Sequence, residues 1–235
     1  MPDPFAIIRD PWCNMRARVR AGLPGLSAMT TPPLPIQMRD LGLVHYTEVW
    51  LAMKSFTTTR IVDTPDEIWC VQHPPVYTQG LNCSVSTLAA TDIPIIKTDR
   101  GGQITYHGPG QLVTYLLFDL KRRRRGAKWL VNLAEQSIID FLGTHHVTAH
   151  RLAGAPGVYV SGKKIAALGL RIRHGASYHG ISFNVDMDLT PFQNIDPCGF
   201  ENLEVTQLKD LGVTLAMDEV RLQLGDCIVE LLDAP

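Results

Sequence analysis

The stretch Gly157-Val-Tyr-Val-Ser-Gly-Lys-Lys-Ile-Ala-Ala-Leu-Gly-Leu-Arg-Ile172 contains two apolar runs separated by Ser161-Gly162-Lys163. A short polar segment with a glycine between two apolar runs is typical of a β-hairpin. We therefore predict one strand over residues 157–160 and a second strand over residues 164–172. We expect these two strands to be neighbours in the sheet of the fold.

The segments on either side of this hairpin alternate between helical and extended patterns. Apolar residues recur at helical spacing over residues 44–56, 128–142 and 217–232, and a short helix is predicted over 203–211, before Gly212. Short apolar runs predict further strands over residues 68–71, 94–97, 112–117 and 183–185. Strands joined partly by hairpins and partly by helices indicate an α/β (α+β) fold, in which one mixed β-sheet is flanked by helices.

Composition and charge are those of an ordinary globular domain. The chain has 235 residues, of which 45% are hydrophobic and 19% charged, so it can bury one domain-sized core and is not intrinsically disordered. No apolar run approaches the roughly 18 residues that cross a bilayer, so no membrane span is predicted. The net charge of −1 does not steer the whole protein towards nucleic acid, so any electrostatic recognition must be local.

Residues 1–38 differ from the rest of the chain. They contain four arginines and many Pro and Gly residues, together with Asp3 and Asp10. They lack the apolar core and small-residue cleavage site of a secretory signal, and a mitochondrial presequence usually lacks acidic residues. We predict a flexible N-terminal extension over 1–38, or translation from Met29 or Met38, and one domain over residues 39–235.

The cysteines indicate reduced thiols in a cytoplasmic protein. They are odd in number and scattered, without a C-x-x-C pair, which argues against a disulfide framework and against a structural zinc site. They are Cys13, Cys70, Cys83, Cys198 and Cys227. Cys70 and Cys227 fall in apolar runs and are predicted to be buried. Cys198 lies between Pro197 and Gly199 in a polar loop, where a thiol is either inert or a nucleophile.

The run Arg100-Gly-Gly-Gln-Ile-Thr-Tyr-His-Gly-Pro-Gly-Gln111 is the densest unusual segment. Five of its twelve residues are Gly or Pro, although a predicted strand lies on either side. Glycines let a ligand approach the backbone closely, and Arg100 and His107 add a forked donor and a titratable ring. The run is either a ligand-binding loop or a wide turn whose glycines serve only the chain reversal. It has the spacing of neither a Walker loop nor a dinucleotide-binding turn.

The two lysines after the hairpin turn are predicted to point in opposite directions. Because side chains alternate along a strand, Lys164 shares a face with Ala166 and Leu168, and Lys163 points to the other face. A lysine in line with an apolar row is desolvated unless it lies at the wet end of the strand. Either both lysines are solvated turn residues, or Lys164 is desolvated.

A second charged feature is the run Lys121-Arg122-Arg123-Arg124-Arg125, which is a concentrated positive patch on a nearly neutral chain. Such a run is most simply a solvated loop. It is otherwise a nucleic-acid-binding patch or a docking surface for an acidic protein.

Taken in order, these segments resemble the lipoyl(octanoyl) transferase family, whose fold is shared with the biotin and lipoate protein ligases. The resemblance covers about residues 39–235. It is carried by His73-Pro-Pro-Val-Tyr-Thr-Gln-Gly80, the Arg100 to Gln111 run, the Gly157 to Leu170 hairpin, His179-Gly180, Asn184 and Pro197-Cys198-Gly199. Each piece alone is weak, but the ordered set is highly specific.

This resemblance implies an enzyme that takes an octanoyl (or lipoyl) group from acyl carrier protein. The acceptor would be a lysine of a lipoyl domain, in 2-oxoacid dehydrogenase complexes or in the glycine cleavage H protein. Cys198 matches the family's acylated cysteine and Lys164 its catalytic lysine, and no cofactor or metal ion is implied. Because both partner proteins are acidic, the run 121–125 is favoured as a docking surface.

The resemblance also implies which residues surround the acyl group. The implied pocket is formed by Arg100, Gly101, Gly102, Gln103, Ile104, Thr105, Tyr106, His107, Ala167, Leu168, Gly169, Gly180, Ile181 and Ser182. His73, His107 and His179 are candidates for positioning roles, or are structural.

Three other functions stay open at this point. An ATP-dependent lipoate-protein ligase of the same fold would need an adenylate site and would not need Cys198. A cysteine thioesterase or hydrolase would pair Cys198 with His179 or His107. A module that only binds lipoyl domains would have an unreactive Cys198.

Overall fold

The computed structural model describes residues 35–83, 91–195 and 204–234. Within these ranges the chain forms ten strands and three α-helices. The strands are β1 (Gln37–Leu43), β2 (Glu67–Gln72), β3 (Val76–Gln79), β4 (Ile95–Lys97), β5 (Ile104–His107), β6 (Gln111–Leu117), β7 (His150–Leu152), β8 (Ala155–Val160), β9 (Lys163–Arg173) and β10 (Ala176–Asn184). The helices are α1 (Tyr46–Thr58), α2 (Ala127–Thr144) and α3 (Met217–Asp233).

Seven of these strands form one mixed sheet in the order β1-β2-β6-β10-β9-β8-β7. Its β1–β2 pair is parallel, and the other neighbouring strands are antiparallel. A second sheet has the order β4-β3-β5, with β3 parallel to β4 and antiparallel to β5. The prediction of a mixed sheet flanked by helices is confirmed, and the smaller sheet holds part of the glycine-rich run 100–111.

Apolar side chains cover both faces of the large sheet. On one face, α2 and α3 pack against β6 and β10, and the rings of Phe141 and Phe183 meet with centroids 5.5 Å apart. On the other face, α1 packs through the fully buried Val49 and Met53 onto a cluster that includes Trp69. Full burial of such a side chain stabilises the fold by about 1.5–3 kcal/mol. These stripes therefore hold the three helices against the sheet.

Most of the elements predicted from periodicity are confirmed. The helices over 44–56, 128–142 and 217–232 correspond to α1, α2 and α3. The predicted strands 68–71, 94–97 and 112–117 correspond to β2, β4 and β6, and 183–185 overlaps the end of β10. The predicted hairpin is formed by β8 and β9.

The helix predicted over 203–211 is wrong in the described part of that segment. Val205 instead forms a parallel bridge with Lys164, so the backbone here pairs with β9. Helical structure is limited to a 3-10 turn over Lys209–Leu211, which ends at Gly212 with a φ of 79°.

The N-terminal boundary of the large sheet lies at Gln37. The last two residues assigned to the extension, Gln37 and Met38, therefore belong to β1. Residues 1–34 lie outside the described ranges. None of the helices in the described ranges has the length and apolarity to cross a lipid bilayer.

Candidate active site

An open cleft, with about 540 Å³ of empty space when its solvent-filled mouth is included, is lined by α1, the loop before β5, and strands β5, β6, β9 and β10. Its lining residues are Tyr46, Arg100, Gly102, Gln103, Ile104, Thr105, His107, Val113, Tyr115, Ala167, Leu168, Gly169, His179, Gly180, Ile181 and Ser182. The structure thus brings together all but two of the residues of the implied acyl pocket, although they come from three separate segments of the chain.

The two implied pocket residues that do not line this cleft are Gly101 and Tyr106. Tyr106 points away from the cleft and packs against Tyr77 and Phe192, with ring centroids 5.5 Å apart in both pairs. Gly101 donates its backbone N–H to the carbonyl oxygen of Leu170, with 2.9 Å between N and O. Both residues therefore support the wall from behind.

Sequence reasoning missed three lining residues, namely Tyr46, Val113 and Tyr115. Tyr46 lies in the apolar stripe of α1, and the other two lie in a strand that reads as core. Alternation along β6 puts Val113 and Tyr115 on one face, which is the signal that could have found them. Within the described ranges, no group of three or more His, Cys, Asp or Glu side chains is arranged to hold a metal ion.

His73 lies behind the cleft wall and is held as a neutral ring. Its Nδ1 is 2.6 Å from the carbonyl oxygen of Val44, and its Nε2 is 2.7 Å from the hydroxyl of Tyr115. A carbonyl oxygen can only accept, so Nδ1 carries the proton and the Tyr115 hydroxyl donates to Nε2. The Tyr46 ring lies against His73, with centroids 5.2 Å apart.

His107 is buried in the cleft wall between two further partners. Its Nδ1 donates to Oε1 of Gln111 at 2.7 Å, and its Nε2 lies 3.3 Å from Oγ1 of Thr78. The same Oγ1 accepts a hydrogen bond from Nε of Arg100 at 3.1 Å, so the Thr78 hydroxyl is left to donate to His107. Arg100 also donates from Nη1 to the carbonyl oxygen of Gly101 at 2.9 Å, which ties down the glycine-rich loop.

A continuation of these hydrogen bonds connects the cleft to Lys164. Gln111 donates from Nε2 to Oδ1 of Asn184 at 2.9 Å, and Asn184 donates from Nδ2 to the carbonyl oxygen of Thr206 at 3.0 Å. The backbone N–H of Thr206 donates in turn to the carbonyl oxygen of Lys164 at 2.9 Å. Because Gln111 and Asn184 are buried, each amide depends on these partners, and a continuous series of hydrogen bonds joins the cleft wall to the strand of Lys164.

Burial of the two neutral histidines predicts a loss of stability in mild acid. Burial lowers the pKa of His73 to about 4 and of His107 to about 3, whereas an unfolded histidine titrates near 6.5. Below about pH 6.5 these two histidines bind protons in the unfolded chain but not in the folded chain. The free energy of unfolding therefore has its full histidine contribution above pH 6.5 and loses it as the pH falls towards 4. The free energy of unfolding is expected to fall by up to about 2.7 kcal/mol per pH unit in this window.

Urea denaturation at a series of pH values between 8 and 5 measures this slope. The variants His73→Gln and His107→Gln are each expected to remove one of the two titrating protons, and so to reduce the pH dependence of the unfolding free energy by about half. A free energy of unfolding that stays constant between pH 7 and pH 5 would contradict the assignment of neutral, buried rings.

Lys164 is buried, with only 3% of its surface exposed. Its Nζ donates to the carbonyl oxygen of Pro156 at 3.3 Å and lies 5.2 Å from the centroid of the Tyr159 ring. The side chain fits because residue 157 is a glycine, since a Cβ there would lie 3.1 Å from Cε of Lys164. Of the two alternatives left open by the sequence, the structure therefore favours a desolvated Lys164.

Lys163 has the opposite environment. About half of its side chain is exposed, and its Nζ forms an ion pair with Oε2 of Glu204 at 2.8 Å. This pair lies on the surface, where ion pairs contribute little stability. The interpretation of both lysines as solvated turn residues is therefore correct for Lys163 and wrong for Lys164.

The predicted nucleophile Cys198 lies outside the described residues, as do its neighbours Pro197 and Gly199. Cys70 is buried as predicted, and burial raises the pKa of its thiol to about 12. Cys227 is only partly buried, and this burial raises its pKa to about 11. Neither Cys70 nor Cys227 is therefore ionised near neutral pH, which makes both poor nucleophiles.

The basic run 121–125 is divided between internal and exposed charges. Arg122 and Arg123 bind the buried carboxylate of Asp66, with N to O distances of 2.7 and 2.5 Å, and Arg60 contacts the same carboxylate at 2.6 Å. The remaining members of the run, Lys121, Arg124 and Arg125, are exposed. The run is therefore more than a solvated loop, because two of its arginines anchor it to the fold.

Comparison with known proteins identifies the family of this chain. Residues 45–228 match the family described as the lipoyl protein ligase A/B catalytic domain. An octanoyltransferase of Chromobacterium violaceum is 56% identical to this chain over 187 residues, which cover 79% of this chain and 90% of the relative.

Two solved enzyme structures have the same fold as this chain. Lipoate-protein ligase A bound with ATP superposes with a TM-score of 0.69 at 16% identity, over 85% of each chain. Biotin protein ligase from Aquifex aeolicus in complex with biotin and ATP superposes with a TM-score of 0.56 at 16% identity, over 83% of this chain and 70% of the ligase. The expected likeness to the catalytic domains of biotin and lipoate ligases is confirmed. The chain belongs to the octanoyltransferases, which are acyltransferases of protein lipoylation within the lipoyl protein ligase A/B catalytic-domain family.

Proposed function

We propose that this enzyme takes an octanoyl group from acyl carrier protein as a thioester on Cys198 and passes it to the lysine of a lipoyl domain. Lys164 is the partner base in both steps. The observation that carries this proposal is the burial of Lys164 at a point where its backbone pairs with the segment leading back to Cys198.

Chain connectivity supports the pairing of these two residues. The backbone N–H of Lys164 donates to the carbonyl oxygen of Glu204 at 2.9 Å. Cys198 precedes Glu204 by six residues and follows Ile195 by three. Six residues span at most about 20 Å, so the connection from Glu204 permits the Cys198 thiol to reach Lys164.

The proposed chemistry has balanced proton transfers. Lys164 takes the proton of the Cys198 thiol, and the thiolate attacks the thioester carbonyl of the donor, so that one C–S bond forms as another breaks. The Lys164 ammonium then gives this proton to the departing thiolate of the carrier, which leaves Lys164 neutral for the second step. In the second step the acceptor amine attacks the acyl-enzyme, a C–N bond forms, the Cys198 sulfur leaves, and Lys164 takes the proton from the amine. The first exchange replaces one thioester by another and the second gives a more stable amide, so the cycle does not require ATP.

The energetic preference for an ammonium–thiolate pair follows from ordinary side-chain acidities. Ionising a free thiol at pH 7 costs about 2 kcal/mol, whereas neutralising a free lysine costs about 4–5 kcal/mol. A thiolate beside an ammonium group is therefore the less costly starting state in a partly hydrated site. The chemistry needs a reduced thiol, which suits a cytoplasmic enzyme.

The cleft fits the acyl part of the substrate. Its apolar lining residues include Val113 and Ala167, and apolar lining is typical of small-molecule sites. Strands β9 and β10 line the cleft with the backbone at Gly169 and Gly180, where the absence of a side chain lets Arg100 and the backbone of Thr114 approach closely. The residues implied by the resemblance would in this way surround the octanoyl group.

The exposed part of the basic run is proposed as a docking surface for the acidic carrier protein. We expect the triple replacement of Lys121, Arg124 and Arg125 by Gln to raise the KM for octanoyl carrier protein and to flatten its salt dependence, with little change in thermal stability. Replacing Arg122 and Arg123 by Gln should instead lower the melting temperature, because both bind buried Asp66. A KM that is unchanged in the triple variant at low salt would rule out this surface.

The reaction itself is tested by transfer to a lipoyl domain without ATP. Purified enzyme, octanoyl carrier protein and an unmodified lipoyl domain are mixed, and the octanoylated domain is quantified by mass spectrometry. Amide formation without ATP is the expected result. A strict need for ATP and free octanoate would favour a ligase, release of free octanoate would favour a hydrolase, and binding without reaction would favour a lipoyl-domain module.

A further inference from the structure

His179 has a backbone conformation that is unusual for a residue within a strand. Its φ is 62°, in the left-handed region that side chains other than glycine rarely adopt. Four other described non-glycine residues have a positive φ, and all of them lie in turns, namely Arg124, His146, Ser161 and His174. His179 alone among these five lies inside a strand, β10, and such strain is typical of functional positions.

This conformation changes the face of the sheet on which the imidazole lies. The side chains of Ile181 and Phe183 face the layer of α2 and α3, and simple alternation would place His179 with them. The imidazole lies instead on the side of α1, where its ring stacks on Tyr178 with centroids 4.9 Å apart and lines the cleft. The strained backbone therefore places the imidazole ring of His179 in the wall of the acyl cleft.

The carboxylate of Asp99 holds the imidazole in place. Its Oδ1 lies 3.1 Å from Nε2 of His179 and accepts a hydrogen bond from Nε1 of Trp50 at 2.8 Å. Its Oδ2 accepts a hydrogen bond from the hydroxyl of Tyr178 at 2.5 Å. Burial raises the pKa of Asp99, but the hydrogen bonds from His179, Tyr178 and Trp50 outweigh it, so the pKa lies below its ordinary value. The group is a carboxylate that only accepts.

We propose that Asp99 is a positioning residue of the transfer site, which keeps His179 protonated on Nε2 and thereby leaves Nδ1 as a hydrogen-bond acceptor in the cleft wall. This inference rests on the proposed function, because the cleft wall in question is that of the acyl pocket. Nδ1 faces the hydroxyl of Tyr46 at 3.5 Å, and Tyr46 stacks on His107 with centroids 5.7 Å apart. The tautomer of His179 therefore determines whether the Tyr46 hydroxyl donates or must accept.

Two substitutions of Asp99 separate the oxygen acceptor from the negative charge. In Asp99→Asn the amide oxygen can still accept from both Trp50 and His179, while the amide group donates to the hydroxyl of Tyr178. In Asp99→Leu no acceptor remains, although the side chain has the same branching and the same number of heavy atoms. We expect Asp99→Asn to keep the Nε2-protonated tautomer and most of kcat, and Asp99→Leu to shift His179 towards protonation on Nδ1.

The experiment combines 15N NMR of the histidine rings with steady-state transfer of octanoate from carrier protein to a lipoyl domain. In Asp99→Leu we expect kcat to fall by about 10- to 100-fold with a small change in KM, because the wall that orients the acyl group is displaced. Circular dichroism and melting temperature are measured for each variant. The variant His179→Asn, whose side chain tolerates a left-handed backbone, covers the case in which Asp99→Leu does not fold.

The outcomes distinguish a failure of the role proposed for Asp99 from a failure of the proposed function. A wild-type His179 that is protonated on Nδ1, a folded Asp99→Leu enzyme with full kcat, or a His179→Asn enzyme with full kcat would overturn it. A wild-type protein that shows the Nε2-protonated ring but transfers no octanoate would instead contradict the proposed function, and the Asp99 hydrogen bond to His179 would stand.

Discussion

Replacing Lys164 by Met is expected to lower kcat for octanoyl transfer by about 1000-fold, within the range that a positioned general base contributes. Methionine has a similar length and preserves the packing beside Gly157, but it can neither hold the proton of a thiol nor accept one from an amine. Stopped-flow or single-turnover measurement of acyl transfer to the enzyme, and then to a lipoyl domain, shows which of the two steps is slowed. We expect both steps to be slowed.

The adjacent lysine supplies a matched control. Lys163 lies next to Lys164 in β9, but it is half exposed and paired with Glu204 on the surface. Lys163→Met should therefore keep kcat within about 3-fold of wild type, since it loses only a surface ion pair. Equal losses in the two variants, or a wild-type rate in folded Lys164→Met, would contradict the role of Lys164.

A second large effect is expected from Gly180→Ala, where the backbone of β10 presses against β6. A Cβ at this position would lie 1.9 Å from the carbonyl oxygen of Thr114 and 3.0 Å from Cα of Tyr115. Backbone atoms of a central strand cannot yield as the end of a flexible side chain can, so the two strands must separate. We expect a loss of about 3 kcal/mol or more of unfolding free energy, and impaired acyl transfer, because both strands line the cleft.

Gly143 is the matched control for this substitution. It lies in α2, and nothing would be within 4 Å of a Cβ at that position. Gly143→Ala should be neutral or should stabilise the protein by about 0.5–1 kcal/mol, because alanine is the better helix former. Urea denaturation of both variants gives the comparison, and a Gly180→Ala protein as stable as wild type would show that the strands are less tightly packed than the structure indicates.

Strong periodicity explains why the helices could be predicted from the sequence. In α1 the stripe with Val49 and Met53 recurs at helical spacing and is buried against the sheet, so local pattern and tertiary packing agree. The polar β1 and the short β3, β5 and β7 lack such a pattern and were not predicted. The first half of β10 was missed because the buried residues Ser177, His179 and Gly180 interrupt the apolar run that identifies a fully buried strand.

The candidate site was predictable to the extent that its residues lie in distinctive local segments. The glycine-rich run containing Arg100 and His107 is recognisable in isolation, and so is the hairpin that carries Lys164. Tyr46 and Asp99 are not, because one reads as a core residue of a helix and the other as a single acidic residue. Only the packing of α1 and of the loop before β5 against β10 brings Tyr46 to the cleft and Asp99 to His179 in the cleft wall.

The central claim is that the acyl group passes through the sulfur of Cys198. Intact-protein mass spectrometry of the enzyme mixed with octanoyl carrier protein, without ATP and without acceptor, tests it most directly. Wild-type enzyme is predicted to gain one octanoyl group, mapped by peptide analysis to Cys198 and discharged when a lipoyl domain is added, and Cys198→Ala is predicted to gain none. An octanoyl group on another cysteine, or undiminished transfer by Cys198→Ala, would contradict the account.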